Sequence, residues 1–233
     1  MPEWYPQKAS ELSNILTKFL SQKVEIQDKD IHGIIVPHAG YEYSGEIAGK
    51  AYSLLKNSQI KKAIVFGPSH YIGFDGLMVI KKIDTPIDLT DIPESDYMKL
   101  EHEHSVENQF PFLQKLGFNE ILPLVVGDIT QEEAKEISEK YANEKKIFIF
   151  STDLSHFFPY EKAINIDKKT IEIIEKLELE KIEDIDACGK HDLMIMMHLC
   201  RINNWQPHLI EYKNSGDVTG DKDSVVGYAS FWF

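Results

Sequence analysis

The chain has 233 residues, 42% hydrophobic and 27% charged, which is the balance of a folded globular protein and argues against disorder or low complexity. Lys and Arg total 25 against 38 Asp and Glu, a formal charge of −13. That excess repels phosphate backbones and anionic lipid, so a general nucleic-acid or membrane-surface role is disfavoured.

Arg201 is the one arginine, so forked guanidinium recognition is nearly absent. Cys188 and Cys200 cannot build a disulfide framework and are expected to be free thiols. The start of the chain lacks the apolar core of a signal peptide, and no window approaches the ~20 apolar residues of a membrane span. A soluble, cytoplasmic protein is expected, as a single domain over 1–233.

In chain order, Leu12, Ile15, Leu16 and Phe19 recur at helical spacing over Ser10–Phe19, with Ser10 as a cap. Ile31–Val36 is a short β-branched run suited to a buried strand. A helix is expected over Gly45–Leu55, then strands at Lys62–Phe66 and Leu77–Ile80. Ser105–Leu116 reads as a helix interrupted by Pro111. Ile121–Val126 reads as a strand with Pro123 at an edge or bulge. Gln131–Tyr141 is a helix, Ile147–Phe150 a strand, and Asp167–Leu177 and His191–Ile202 are helices. His208–Tyr212 and Ser224–Phe233 close the chain as strands. Strands alternating with helices predict an α/β fold, a central sheet covered on both faces. Ligands of such sheets bind beyond the carboxyl ends of the strands.

Polar clusters follow three of the strands: Pro37-His38, Pro68-Ser69-His70 and the run Ser151–His156. Imidazole is the commonest transition-metal ligand, and two strand ends can bring His38 and His70 together. A third donor has several candidates: Cys188, Glu103, Glu107, Asp153 and Asp75. The blander reading is that both histidines only bond turn backbone. In the run Glu101–Glu107, His104 and Glu107 lie about one turn apart on a helix, though helix capping accounts for much of that pattern. Asp153 and His156 are three apart, a spacing at which a carboxylate can orient an imidazole for general-base work. Cys188 precedes a glycine and a helical run. With Lys190 and His191 beside it, its thiol is expected to have a lowered pKa. Cys200 sits among apolar residues and reads as core. No phosphate-binding glycine loop and no nucleophile elbow occur.

Six stretches, in order, together resemble the Memo family: PHAGYEYSG (37–45), GPSH (67–70), EHSVENQFPFL (103–113), STDLSHF (151–157), ACGKHD (187–192) and SVVGYASF (224–231). Archaeal and bacterial members are also called AmmeMemoRadiSam system protein B. The resemblance implies the fold of class III extradiol dioxygenases, non-haem iron enzymes with a two-His, one-carboxylate site: a central mixed sheet flanked by helices. It implies that His38, His70 and Cys188 ligate a metal, Cys188 standing where the dioxygenases have glutamate. It gives His156 the acid/base role, with Asp153 orienting it, and places Tyr41, His104 and Glu107 around the site.

The sulfur has a consequence. Two histidines and a carboxylate suit Fe(II), whereas a thiolate shifts preference toward Cu(I), zinc or a differently tuned iron. The dioxygenase reaction is therefore not carried over with the fold. Iron or copper is expected, with zinc as an alternative, in a redox-related protein acting on an unknown small molecule or peptide. The resemblance further implies association with a radical SAM protein and an AMMECR-type protein. Two other readings stand beside this one. In one, the cleft is a non-catalytic peptide- or partner-binding module with Tyr41, Tyr43, Phe74 and Trp205 as anchors. In the other, the chain is a metal-assisted hydrolase.

Overall fold

The computed structural model describes residues 4–26, 30–80, 88–89 and 98–233. The first half contains α1 (Ala9–Leu20), β1 (Gly33–Val36), α2 (Tyr41–Ser53), β2 (Lys62–Pro68), β3 (Leu77–Ile80), β4 (Asp88–Leu89), β5 (Met98–Leu100), α3 (His104–Glu107) and α4 (Phe110–Lys115). There follow β6 (Glu120–Val126), α5 (Gln131–Tyr141), β7 (Ile147–Ser151), β8 (His156–Phe158), α6 (Tyr160–Lys176) and a 3₁₀ helix over Leu179–Asp184. The chain ends with α7 (Lys190–Asn203), β9 (His208–Asn214), α8 (Ser215–Thr219) and β10 (Val225–Trp232).

The strands form one mixed sheet in the order β5-β3-β6-β2-β7-β1-β10-β8, with β4 added to β6 and β9 to β10. Its centre, β6-β2-β7-β1, is parallel. β3 and β10 run antiparallel to their central neighbours. Continuous apolar runs form these central strands because both faces are buried. Ile64, Phe66, Phe148 and Phe150 face α5, α6 and α7. Ala63, Val65 and Ile149 face the other way, toward Phe19 of α1, Tyr52 of α2 and Phe112 of α4. Phe66 and Phe150 stack at 4.9 Å across neighbouring strands. Burying each such ring is worth about 1.5–3 kcal/mol. The fold is thus the expected α/β one, a central mixed sheet flanked by helices. Among the described residues, no helix is long and apolar enough to cross a membrane.

Several local expectations change. Ser10 lies inside α1 and caps nothing; Lys8 precedes the helix without a side-chain cap. α2 starts at Tyr41, four residues before the predicted Gly45, because the Tyr41 ring packs against Phe112 at 5.1 Å. α6 starts at Tyr160, where Pro159 already supplies a helix-compatible φ of −57°. Pro111 opens α4 and does not interrupt a helix: in the first turn its missing N–H removes no bond. Pro123 is not at an edge. β2 pairs along one side of β6, while β3 reaches only Leu124 and β4 only Ile121, so Pro123 lies opposite neither short strand. β8, not foreseen, pairs with β10 across a register shift between Val225 and Val226. There Phe157 holds a left-handed φ of 63° and stands 73% exposed.

Candidate metal centre

The carboxyl ends of β1, β7 and β2 lie side by side, with Val36 opposite Ser151 and Phe66 opposite Phe150. Strands spaced ~4.8 Å apart put β1 and β2 about 10 Å from each other. His38 and His70 close that gap over the end of β7, their ring centroids 5.1 Å apart. Cys188 enters from the turn before α7, its Sγ 3.3 Å from His38 Nε2. One ligand atom from each of the three residues lies within 4.8 Å of the others. On a tetrahedral ion, a thiolate and an imidazole are about 3.6 Å apart. The donor set therefore fits a transition metal with small adjustments.

The hydrogen-bond network sets which nitrogen of each ring is free. Ser151 Oγ donates its hydrogen to the Ser105 carbonyl (2.6 Å) and accepts from Gln109 Nε2 (2.9 Å). It can therefore only accept from His38 Nδ1, 2.9 Å away. His38 carries its proton on Nδ1 and turns the Nε2 lone pair toward Cys188. Burial holds its pKa well below the ordinary value, with neighbouring His70 and His104 acting in the same direction, so the ring is neutral. His70 donates Nδ1–H to Glu103 Oε1 (3.0 Å) and its backbone N–H to Glu103 Oε2 (2.7 Å), which leaves its Nε2 free. Glu103 is fully buried. Burial opposes its charge, but contacts from the His104 and His70 rings and from the His70 and Ser105 amides hold its pKa far below the usual carboxylate range. A carboxylate behind a ligand histidine fixes tautomer and ring orientation and raises basicity.

Cys188 departs from expectation. Burial pushes its thiol pKa up, and the charge of Asp153 adds to the effect. The two basic side chains beside it in sequence are engaged elsewhere. Lys190 pairs with Glu183, and His191 Nδ1 meets the Gly127 carbonyl at 2.9 Å. The turn is tied down instead. Asp153 N–H points at Cys188 Sγ (3.3 Å), Cys188 N–H at the Asp153 carbonyl (3.2 Å), and Thr152 Oγ1 accepts from Gly189 N–H (2.9 Å). A Cβ at Gly189 would fall 2.8 Å from Thr152, so only glycine allows this approach.

Asp153 also takes a different place. Its carboxylate accepts the His38 backbone N–H (2.9 Å) and lies 3.9 Å from His38 Nε2. Among the described residues its ion-pair partner is His38; burial raises its pKa, and nearby His156 acts in the opposite direction. His156, half-buried at the start of β8, lies close enough to act electrostatically on both His38 and Asp153. Tyr41 is buried and supports the site from behind: its hydroxyl donates to the Asn108 carbonyl (2.7 Å), and Asn108 Nδ2 donates to the His38 carbonyl (2.7 Å). Glu107 pairs outward with His102 at 3.1 Å. His104 is brought in, its ring 4.4 Å from His70 and 5.4 Å from His38. Trp205 packs against the core, stacked on Phe233. A groove of about 360 Å³ is lined among others by Ser69, Ile72, Phe74, Cys188, Lys190 and His191.

Sequence reading did not single out Asn108 or Gln109, placed Ser151 only in the polar run after its strand, and weighed Glu103 only as a ligand. Their signal was the polarity of ENQ and STD inside otherwise apolar surroundings. Asp192 was missed as well; it is wholly buried, its carboxyl oxygens have no hydrogen-bond partner, and burial raises its pKa.

A mixed α/β sheet with two imidazoles and a thiol converging beyond the ends of its parallel central strands defines a protein built around a candidate transition-metal cleft. The Memo-like protein family model matches residues 2–232, and the chain belongs to that family. Its fold is accordingly the extradiol dioxygenase-like fold of that family. A MEMO1 family protein of Methanosarcina mazei is 30% identical over 98% of this chain and 95% of its own length. One from Nitrosopumilus maritimus is 31% identical over 99% and 96%, and one from Sulfurisphaera tokodaii 34% over 85% and 81%.

Proposed function

We propose that the chain is a metal-binding protein with redox-related activity on a small molecule or peptide, its ion held by His38, His70 and Cys188. The observation that carries this reading is the convergence of three donors from separate elements within 4.8 Å. Iron and copper suit a redox role; the thiolate also suits zinc. The bound ion would supply Lewis acidity or electron transfer at an open position. Around it, His38 and His70 turn Nε2 toward the ion, and Cys188 must shed its proton. His156 serves as the acid or base on the open side. The cytoplasm is the proposed location, with a radical SAM protein and an AMMECR-type protein as proposed partners.

Elemental analysis tests this directly. Wild-type protein purified without added metal is expected to carry near-stoichiometric iron, copper or zinc, and His38→Ala to lose it. Equal metal content in both proteins overturns the assignment. Peroxide treatment supplies a second check. Oxidation of the Cys188 sulfur removes the thiolate, so metal affinity is expected to fall; unchanged affinity counts against sulfur as a ligand.

A second reading rests on the exposed aromatics Tyr71, 53% exposed beside His104, and Phe157, 73% exposed beside His156. They make the rim suitable for docking a peptide or partner. Partner binding that survives His156→Ala and is lost in Phe157→Ala would favour this reading over catalysis.

A further inference from the structure

The three ligands described above leave His104 unexplained. Its ring is buried, with Trp4 stacked on it at 4.2 Å and 6°. Its Nδ1 lies 3.1 Å from Glu103 Oε1 but off the line of a hydrogen bond, and is a buried nitrogen without a hydrogen-bond partner. Glu103 Oε1 also faces His70 Nδ1, at 3.0 Å. One ligand atom each from His70, Glu103 and His104 lies within 4.8 Å of the others. Glu103 is fully buried, and among the described residues no lysine or arginine reaches it; its ion-pair partners are these two imidazoles alone. A buried carboxylate without a full counter-charge is costly, and a bound cation supplies one.

We propose that His70, Glu103 and His104 form a second divalent-cation site, adjacent to the first and sharing the His70 ring with it. The two nitrogens of an imidazole point apart, so His70 offers Nε2 to the Cys188 side and Nδ1 to the Glu103 side. Were both sites filled, His70 Nδ1 would release its proton to solvent and serve the second ion from the opposite edge of the ring. Two nitrogens and a carboxylate make the second site harder than the first, which suits Zn²⁺ or Co²⁺ over Cu(I).

Titration with Co²⁺ separates the two sites, because only the ion on Cys188 gains thiolate-to-cobalt charge-transfer absorption. Wild-type protein is expected to bind two Co²⁺ per chain, one with that band and one without. His104→Ala is expected to bind one, with the band intact, its second-site affinity falling on the order of 100-fold or more. Cys188→Ser is expected to keep the ion that lacks the band. His104→Gln, closer in shape, is measured alongside in case the alanine variant fails to fold. A single Co²⁺ per chain in wild type that carries the band, or two in a folded His104 variant, overturns the second site. A bandless ion that is lost on changing His104 supports it even if the Cys188 site proves empty, so the two assignments stand or fall separately.

Discussion

Cys188→Ser is expected to weaken Zn²⁺ binding at the His38–His70 site by ~100- to 1000-fold. Apparent zinc affinities of about 10–16 kcal/mol shared among four ligands give roughly 2.5–4 kcal/mol for each, which is two to three decades. The pH dependence is the sharper signature. Burial, with Asp153 nearby, pushes the Cys188 thiol up, so it is protonated across neutral pH. Each ion that binds must then displace one proton from sulfur. Below the thiol pKa, wild-type affinity is expected to rise about tenfold per pH unit. His38 adds nothing to this slope, because its pKa is lowered by burial and the ring is already neutral. In Cys188→Ser the slope is expected to flatten. Competition titrations with a zinc-binding dye between about pH 6 and 8 measure both quantities. Parallel slopes for the two proteins would remove sulfur from the ligand set.

The histidines at the strand ends were legible because the signal is local. Apolar β-branched runs that stop at Pro-His or Pro-Ser-His place the imidazoles beyond buried strands, whatever the sheet order. The donors did converge, although nothing in the spacing set β7 between β1 and β2. The acidity of Cys188 was not legible. Lys190 and His191 are adjacent in sequence, but a helix turns them toward Glu183 and Gly127, leaving desolvation to decide. The backbone partner of Asp153 was hidden for a similar reason. Three residues separate it from His156, yet the chain bends between β7 and β8, and the carboxylate meets the amide of His38, far away in sequence. Helix starts at Tyr41 and Tyr160 were hidden by polar and glycine-containing segments whose helicity depends on tertiary packing. Glu103 was legible as a polar residue near the site, but its grip on His70 depends on a contact across the fold.

That grip predicts the second large effect, in Glu103→Gln. Glutamine preserves the shape and one carbonyl oxygen. It loses the charge and presents an amide donor to groups that already donate: His70 Nδ1, the His70 amide and the Ser105 amide. Hydrogen bonds to a charged group are worth about 1.5–3 kcal/mol each, and one or two of them become mismatched. The expected destabilisation at pH 7 is therefore about 2–4 kcal/mol, read from urea midpoints. Its pH dependence has a fixed sign. The carboxyl pKa is depressed in the folded protein, so its contribution is fully present above the unfolded value near 4.3 and is lost as pH falls toward the folded value. The gap between wild type and Glu103→Gln is expected to be constant from about pH 8 to 5 and to narrow below roughly pH 4.3. Metal affinity at the His38–His70–Cys188 site is expected to drop about 10- to 100-fold, because His70 loses the partner that fixes its tautomer. A variant with lowered stability and unchanged affinity would make Glu103 a brace for the loop alone. A gap that widens in acid would mean that the carboxyl is neutral in the fold, and with it would go the account of how His70 is aimed.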